Sequence, residues 1–283
     1  MAPPTYDELL KPRNDLFNKG YNISILKVDC TSVAGPKSEF DFKTTAAQNM
    51  ETPQTFDSNF ESKFHVKSLG LTLTEKWTSK NVAISSLEIK NVITEGLKVS
   101  VEDAYSLEST KHKANAKLDY ACPSLRFNTF FDVGSEILNS SVVYNRGKHY
   151  VGVQSLVNLR TSEVETTNAT LSTGTRDYSL TGFINNGSQF GVSVIQRPTK
   201  NITFGTQINW KQDKNPLSYG FATKYEASSK LIVRAKIDNT SEVAFSATAR
   251  VNRNLALTAS IKRSLLSVNA GKPKYGFGVD YSA

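Results

Sequence analysis

The chain has 283 residues, with 34 Lys+Arg against 26 Asp+Glu for a net charge of +8, three His and two Cys. Two cysteines exclude a disulfide-stapled secreted scaffold, three histidines leave little for a multi-ligand metal site, and 15 Phe with 11 Tyr exceed what a disordered tail carries. No run approaches the ~20 apolar residues of a membrane helix, which excludes a helical membrane protein but not a membrane β-barrel, whose alternating residues cancel in any average.

Met1-Ala2-Pro3-Pro4 is followed by charges and not by an apolar core, so no cleavable export signal is visible. The expected site of synthesis is a reducing compartment, or one from which the chain inserts. Tyr6, Leu9, Leu10, Leu16 and Phe17 recur at helical spacing, opposed by Asp7, Glu8, Lys11, Asp15 and Lys19. This predicts a short amphipathic helix within residues 1–20. Pro12 removes a backbone donor and crowds the preceding turn, so a break is expected near residues 9–12, and Gly20 ends the segment. The helix alone fits the cap of a soluble core as well as a membrane role.

From residue 22 onward the period becomes 2. Phe56, Phe60, Phe64 and Val66 alternate with Asp57, Asn59, Glu61, Lys63 and His65. The pattern returns as Ile202, Phe204, Ile208 and Trp210, then Leu231, Val233, Ala235 and Ile237, and ends with Tyr275, Phe277, Val279 and Tyr281. Each is a strand with one apolar and one polar face. Turn signals separate them at even intervals: Asn145-Arg146-Gly147-Lys148, Asn185-Asn186-Gly187-Ser188, Lys214-Asn215-Pro216, Asp238-Asn239-Thr240-Ser241 and Asn269-Ala270-Gly271-Lys272. At this spacing residues 22–283 hold on the order of nineteen strands of the length a membrane barrel uses.

So many consecutive hairpins need their edges removed, and closure does this directly. The apolar parity is rich in aromatics toward strand ends, and the polar parity mixes small residues with charges as a water-filled lumen requires. The pattern points to an all-β transmembrane barrel with an N-terminal helix; a soluble all-β binding protein without conductance is the alternative. Basic charge is concentrated late: residues 197–283 hold 14 Lys+Arg against 5 Asp+Glu, leaving 20 against 21 in residues 1–196.

The residues also carry a resemblance. Met1-Ala2-Pro3-Pro4-Thr5-Tyr6, Asp15-Leu16-Phe17-Asn18-Lys19-Gly20-Tyr21, Gly70-Leu71-Thr72-Leu73-Thr74-Glu75-Lys76-Trp77, Gly96-Leu97-Lys98, and Val268-Asn269-Ala270-Gly271 with Lys274, Gly276 and Gly278 span the chain. Together they resemble the voltage-dependent anion-selective channels, the porins of the mitochondrial outer membrane. The resemblance implies a nineteen-stranded barrel closed by parallel pairing of its first and last strands, with the helix inside the pore. It implies passive diffusion of anions, small ions and metabolites such as nucleotides, with partial closure at higher voltage, no cofactor and no nucleic-acid partner. The related import pore carries a long N-terminal extension that this chain is not expected to have. Family members commonly have glycines where Asn22-Ile23-Ser24 stands here, so a stiffer helix attachment and weaker gating are expected; Pro12 is a second departure.

Glu75 shares the parity of Leu69, Leu71, Leu73 and Trp77. In a barrel it faces lipid, where a carboxylate is costly and points to function, unless it lies at headgroup level near a strand end. The resemblance implies roles in gating, dimer contacts and docking of a partner kinase. Lys11 and Lys19 match family positions implied in nucleotide contact, though solvated helix lysines read the same way. Arg234, Lys236, Arg250 and Lys262 fall on the polar parity of neighbouring strands and would form one basic lumenal wall. Ser260 matches a family nucleotide contact, whereas Glu242, Val243, Ala244 and Ser264 depart from the usual Leu, Ile, Gly and Asp. On the opposing wall, Asp29, Glu39, Asp41, Asp57 and Glu61 share the polar parity of the first strands with Lys27, Lys43 and Lys63, five acids to three bases. Mild anion selectivity is therefore expected, with cation preference the alternative. His65, His112 and His149 are scattered among turns and polar parities with no partnered nucleophile, and no phosphate loop supports an enzyme; Cys30 and Cys122 share apolar parity as lipid-facing or interfacial thiols.

Overall fold

The computed structural model describes residues 2–33, 39–52, 55–212, 217–265 and 272–283. Met1, the turn expected at Lys214-Asn215-Pro216 and the Val268-Asn269-Ala270-Gly271 motif lie outside the described residues. Two short helices, α1 (Tyr6–Leu9) and α2 (Lys11–Phe17), precede nineteen strands. The first are β1 (Ile25–Val33), β2 (Phe40–Asn49), β3 (Phe56–Val66), β4 (Leu71–Thr78), β5 (Val82–Lys90) and β6 (Leu97–Ser106). Next come β7 (Lys111–Ala121), β8 (Leu125–Asp132), β9 (Ile137–Arg146), β10 (His149–Asn158), β11 (Glu163–Gly174), β12 (Tyr178–Asn185) and β13 (Gln189–Thr199). The last are β14 (Ile202–Lys211), β15 (Leu217–Glu226), β16 (Leu231–Asp238), β17 (Glu242–Arg250), β18 (Leu255–Ser264) and β19 (Lys274–Ser282).

Every strand pairs antiparallel with its sequence neighbours, and β1 pairs in parallel with β19, Leu26 opposite Phe277 and Cys30 opposite Tyr281. An odd number of alternating strands closes only this way. The turns use the chemistry their sequence supplies: Asn186 and Gly187 both have positive φ, 47° and 65°, as a two-residue hairpin turn requires.

Alternation sorts the side chains onto two faces. The outer face is apolar and exposed, with Phe56, Phe221 and Phe245 each more than half accessible, the arrangement of a lipid-contacting wall. The inner face carries the polar parity and receives the helices. Their break falls at Leu10, which ends α1 and begins α2, and Pro12 becomes the second residue of α2, where no backbone donor is needed. The expected proline effect is thus resolved by restarting the helix. Among the described residues no helix is long and apolar enough to cross a membrane.

Candidate functional site

The helices lie along the inner wall, α1 against β9, β10 and β11 and α2 against β13, β14 and β15. Their buried face is Tyr6 and Leu9, packed with Val143, and Leu16 and Phe17, packed with Ile195 and Ala222. The wall makes room for them with glycines. A Cβ at Gly152 would lie 2.7 Å from a Leu9 methyl carbon, and one at Gly205 would lie 2.6 Å from a Leu16 methyl carbon. Polar contacts fix the register: the Thr170 hydroxyl meets the Tyr6 hydroxyl at 3.0 Å, and Arg13 donates to Gln207 at 2.8 Å while stacking 5.1 Å from the Phe183 ring. Burial raises the Tyr6 phenol above its ordinary value, although the Thr170 contact opposes the shift.

Each end of the helical segment is tied separately. At the start, Arg126 on β8 holds Asp119 through two bonds of 2.9 and 2.6 Å, reaches the Pro3 carbonyl at 3.4 Å and lies 3.8 Å from the Glu8 carboxylate. At the finish, Lys236 donates to the Phe17 carbonyl at 2.7 Å and lies 4.5 Å from the Tyr21 ring centre. The last carbonyls of a helix have no intrahelical partner, and an ammonium group satisfies one of them while complementing the helix dipole. Ser246 donates to the Gly20 carbonyl, Arg234 packs against Gly20, and Ser260 accepts from the Asn22 N–H at 3.2 Å. The enclosed Tyr21 phenol is pushed up to about 12 by burial.

The basic residues predicted from parity therefore share one lumenal wall on β16, β17 and β18 but have different occupations. Arg234 bonds Thr248 at 3.0 Å and Lys236 holds the helix end. Arg250 reaches the Ser229 carbonyl at 3.4 Å, and Lys262 pairs with Glu242 at 2.5 Å. Lys11 opens α2 and Lys19 follows its last turn; both are exposed to the lumen without a carboxylate partner among the described residues. A recess of about 520 Å³ lies beside Phe17, Tyr21, Glu51, Lys236, Glu242 and Lys262.

Glu75 stands fifth of eight residues in β4, on the outer face, and accepts a hydrogen bond from Ser85 on β5 at 2.8 Å. Ser62 on β3 flanks it on the other side in register. The row continues: Ser85 opposes Asp103 on β6, which shares the outward parity of Val99 and Val101 and pairs with His112 on β7 at 2.9 Å. His112, expected as a lone histidine in a turn or on a polar parity, instead shares the outer face with its register partner Tyr105 and pairs with Asp103, and the parity test that singled out Glu75 applies equally to Leu97, Val99, Val101 and Asp103. Elsewhere among the described residues, the acidic or basic outward side chains Arg146, His149 and Arg263 sit within two residues of a strand end. Cys30 is exposed on the same face, and Cys122 follows β7 in the turn.

The family model described as eukaryotic porin matches residues 2–278. The chain belongs to the eukaryotic porin family. This porin is 34% identical over 284 residues to the probable voltage-dependent anion-selective channel of Caenorhabditis elegans, covering 99% of each chain. It is 30% identical to the voltage-dependent anion-selective channel of Drosophila melanogaster, covering both chains completely. A rat relative named non-selective voltage-gated ion channel VDAC1 is 27% identical over the full length of this porin. A triple mutant of the Rhodopseudomonas blastica porin superposes with a TM-score of 0.51 over 92% of this chain and 95% of that one, at 8% identity, a likeness of fold alone.

Proposed function

We propose that this porin is a voltage-dependent channel of the mitochondrial outer membrane, passing anions, small ions and metabolites such as nucleotides by passive diffusion. It is a pore and not an enzyme. The observation that carries the reading is a closed barrel whose apolar face is outside and whose polar face surrounds a helix without filling the lumen. Residues 1–20 act as the pore helix and the strands from residue 25 as the wall. Lys11 and Lys19, exposed in the lumen and without a carboxylate partner among the described residues, are the cations that permeating phosphates meet, at weak sites as conduction requires. Arg250, Ser260 and Lys262 supply the nearby wall.

The experiment is reconstitution into planar bilayers across a salt gradient. Stepwise conductance with an anion-selective reversal potential supports the reading, and a monomer that stays in the aqueous phase without detergent removes it. A second reading, a cation-preferring and weakly gated pore, rests on the pairing of Lys262 with Glu242, which cancels one positive charge of the basic wall. A cation-selective reversal potential unchanged by neutralising Lys11 and Lys19 would select it.

Outer-membrane lipid covers the apolar face. Glu75 with its hydroxyl neighbours is the proposed contact for a second copy or a docking kinase. Glu75→Gln should leave conductance within about twofold while changing association or voltage response, since the side chain faces away from the lumen.

A further inference from the structure

The linker between the helices and β1 is built into the line where the barrel closes. Ser246 on β17 donates to the Gly20 carbonyl, and the Asn22 N–H donates to Ser260 on β18. The Asn22 carbonyl accepts from the Ile25 N–H at 3.2 Å, the Ser24 N–H donates to the Tyr275 carbonyl at 2.8 Å, and the Met50 N–H donates to the Ser24 carbonyl at 2.8 Å. Ser24 has a φ of 60°, the left-handed bend that turns the chain from the lumen into β1.

Two glycines of β19 receive this linker. A Cβ at Gly276 would lie 1.3 Å from the Asn22 carbonyl oxygen, and one at Gly278 would lie 2.1 Å from Asn22 Nδ2. Gly276 and Gly278 are alternate residues and so share the inner face, where they leave a slot that Asn22 fills. Gly278 is also the register partner of Lys27 in the parallel pairing that closes the barrel. Asn22 thus occupies the point where the helix leaves the wall and where the last strand meets the first.

We infer that Asn22 is a positioning residue that joins the pore helix and the β1–β19 seam into one mechanical unit. A flexible linker would let the helix detach while the seam stayed intact. A linker seated in the seam strand gives each a share in the other's stability, so the helix end and the closing strands loosen together.

The test uses the full chain refolded in detergent, with Cys30→Ser and Cys122→Ser, and Leu16→Cys as a reporter on the buried face of α2. Asn22→Gly, which keeps the backbone hydrogen bonds of residue 22 and empties the slot beside Gly278, should raise the reaction rate of the reporter thiol by about tenfold, the factor given by losing the packing of one small side chain. The same substitution should lower the temperature at which the compact barrel is lost. Gly278→Ala, which leaves Asn22 in place and crowds its amide, should do both. Asn22→Asp keeps the planar side-chain shape and should restore protection. A reporter that stays protected in Asn22→Gly overturns the inference, as does one that is freed while the barrel melts unchanged. Rescue failing in Asn22→Asp removes the shape argument. None of these readouts needs a current, so they stand apart from the channel reading, which conductance of the unmodified chain tests separately.

Discussion

The inner wall from β1 to β14 falls into two halves built for different neighbours. Across β9–β14, no lumen-facing residue outside the first or last three positions of its strand is charged; Val143, Gly152, Thr170, Thr181, Ile195 and Gly205 are typical. Across β1–β8 the same parity carries Lys27 with Asp29, Lys63 with Glu61, His65 with Asp41, Lys98 with Glu88, Lys117 with Glu102 and Arg126 with Asp119. The first half presents small and apolar groups to a fixed helix, because a docked surface gains from close packing and loses from unpaired charge. The second half presents paired charges to water, where ion pairs cost little and leave the lumen nearly neutral locally. One alternating pattern therefore encodes two surfaces, a seat and a bath.

The contrast is broken most directly at the seat. Phe17→Ala should weaken docking of α2 by about 3 kcal/mol, the cost of an emptied aromatic site, and raise protease sensitivity near residue 17 while the barrel persists. Gly205→Val should act similarly by crowding Leu16, at a cost of about 2 kcal/mol, read as altered single-channel conductance when the helix shifts into the lumen. On the charged half, Arg126→Gln should release the start of α1 from Pro3 and Glu8 at a cost of only about 1 kcal/mol, visible as faster proteolysis before Tyr6.

The smallest effect concerns Glu51, in the turn after β2, which accepts from Ser24 at 2.6 Å and pairs with Lys274 at 2.9 Å. The Ser24 bond and then Lys274 hold its carboxyl below the ordinary value of 4.5. A carboxylate whose folded value is depressed contributes stability that is present above its unfolded value and lost as pH falls through the folded one. Glu51→Gln should therefore lower the thermal midpoint slightly at neutral pH and not at all well below pH 4.5, as measured by melting both proteins across that range.

Much of this was legible in the sequence, for reasons that differ by residue. Strand number followed from a period of 2 and even turns, since neighbouring hairpins need only local information. The break before Pro12 followed from a missing donor. Parity placed Arg234 and Lys236 inside, but the spacing of a strand does not say what lies across the lumen. The Phe17 carbonyl that Lys236 satisfies is 219 residues away in sequence. The glycine seat was hidden for the same reason: Gly152 and Gly205 look like ordinary interruptions of a strand until the helix is placed against them. Asp103 is readable from the parity of Leu97, Val99 and Val101, but no motif marks it as one marks Glu75.

The parallel pairing of β1 with β19 also constrains assembly in time. The eighteen other strand contacts join sequence neighbours, so they can zip from any hairpin at small entropic cost, whereas Leu26 meets Phe277 only when nearly the whole chain has been ordered. Until that moment β1 and β19 are both bare edges, each able to pair with a foreign strand. Closure is therefore the step expected last, because it alone joins the two ends of the chain. The partly built barrel is the species most exposed to aggregation, and it is where an assembly factor offering a temporary strand would find its substrate.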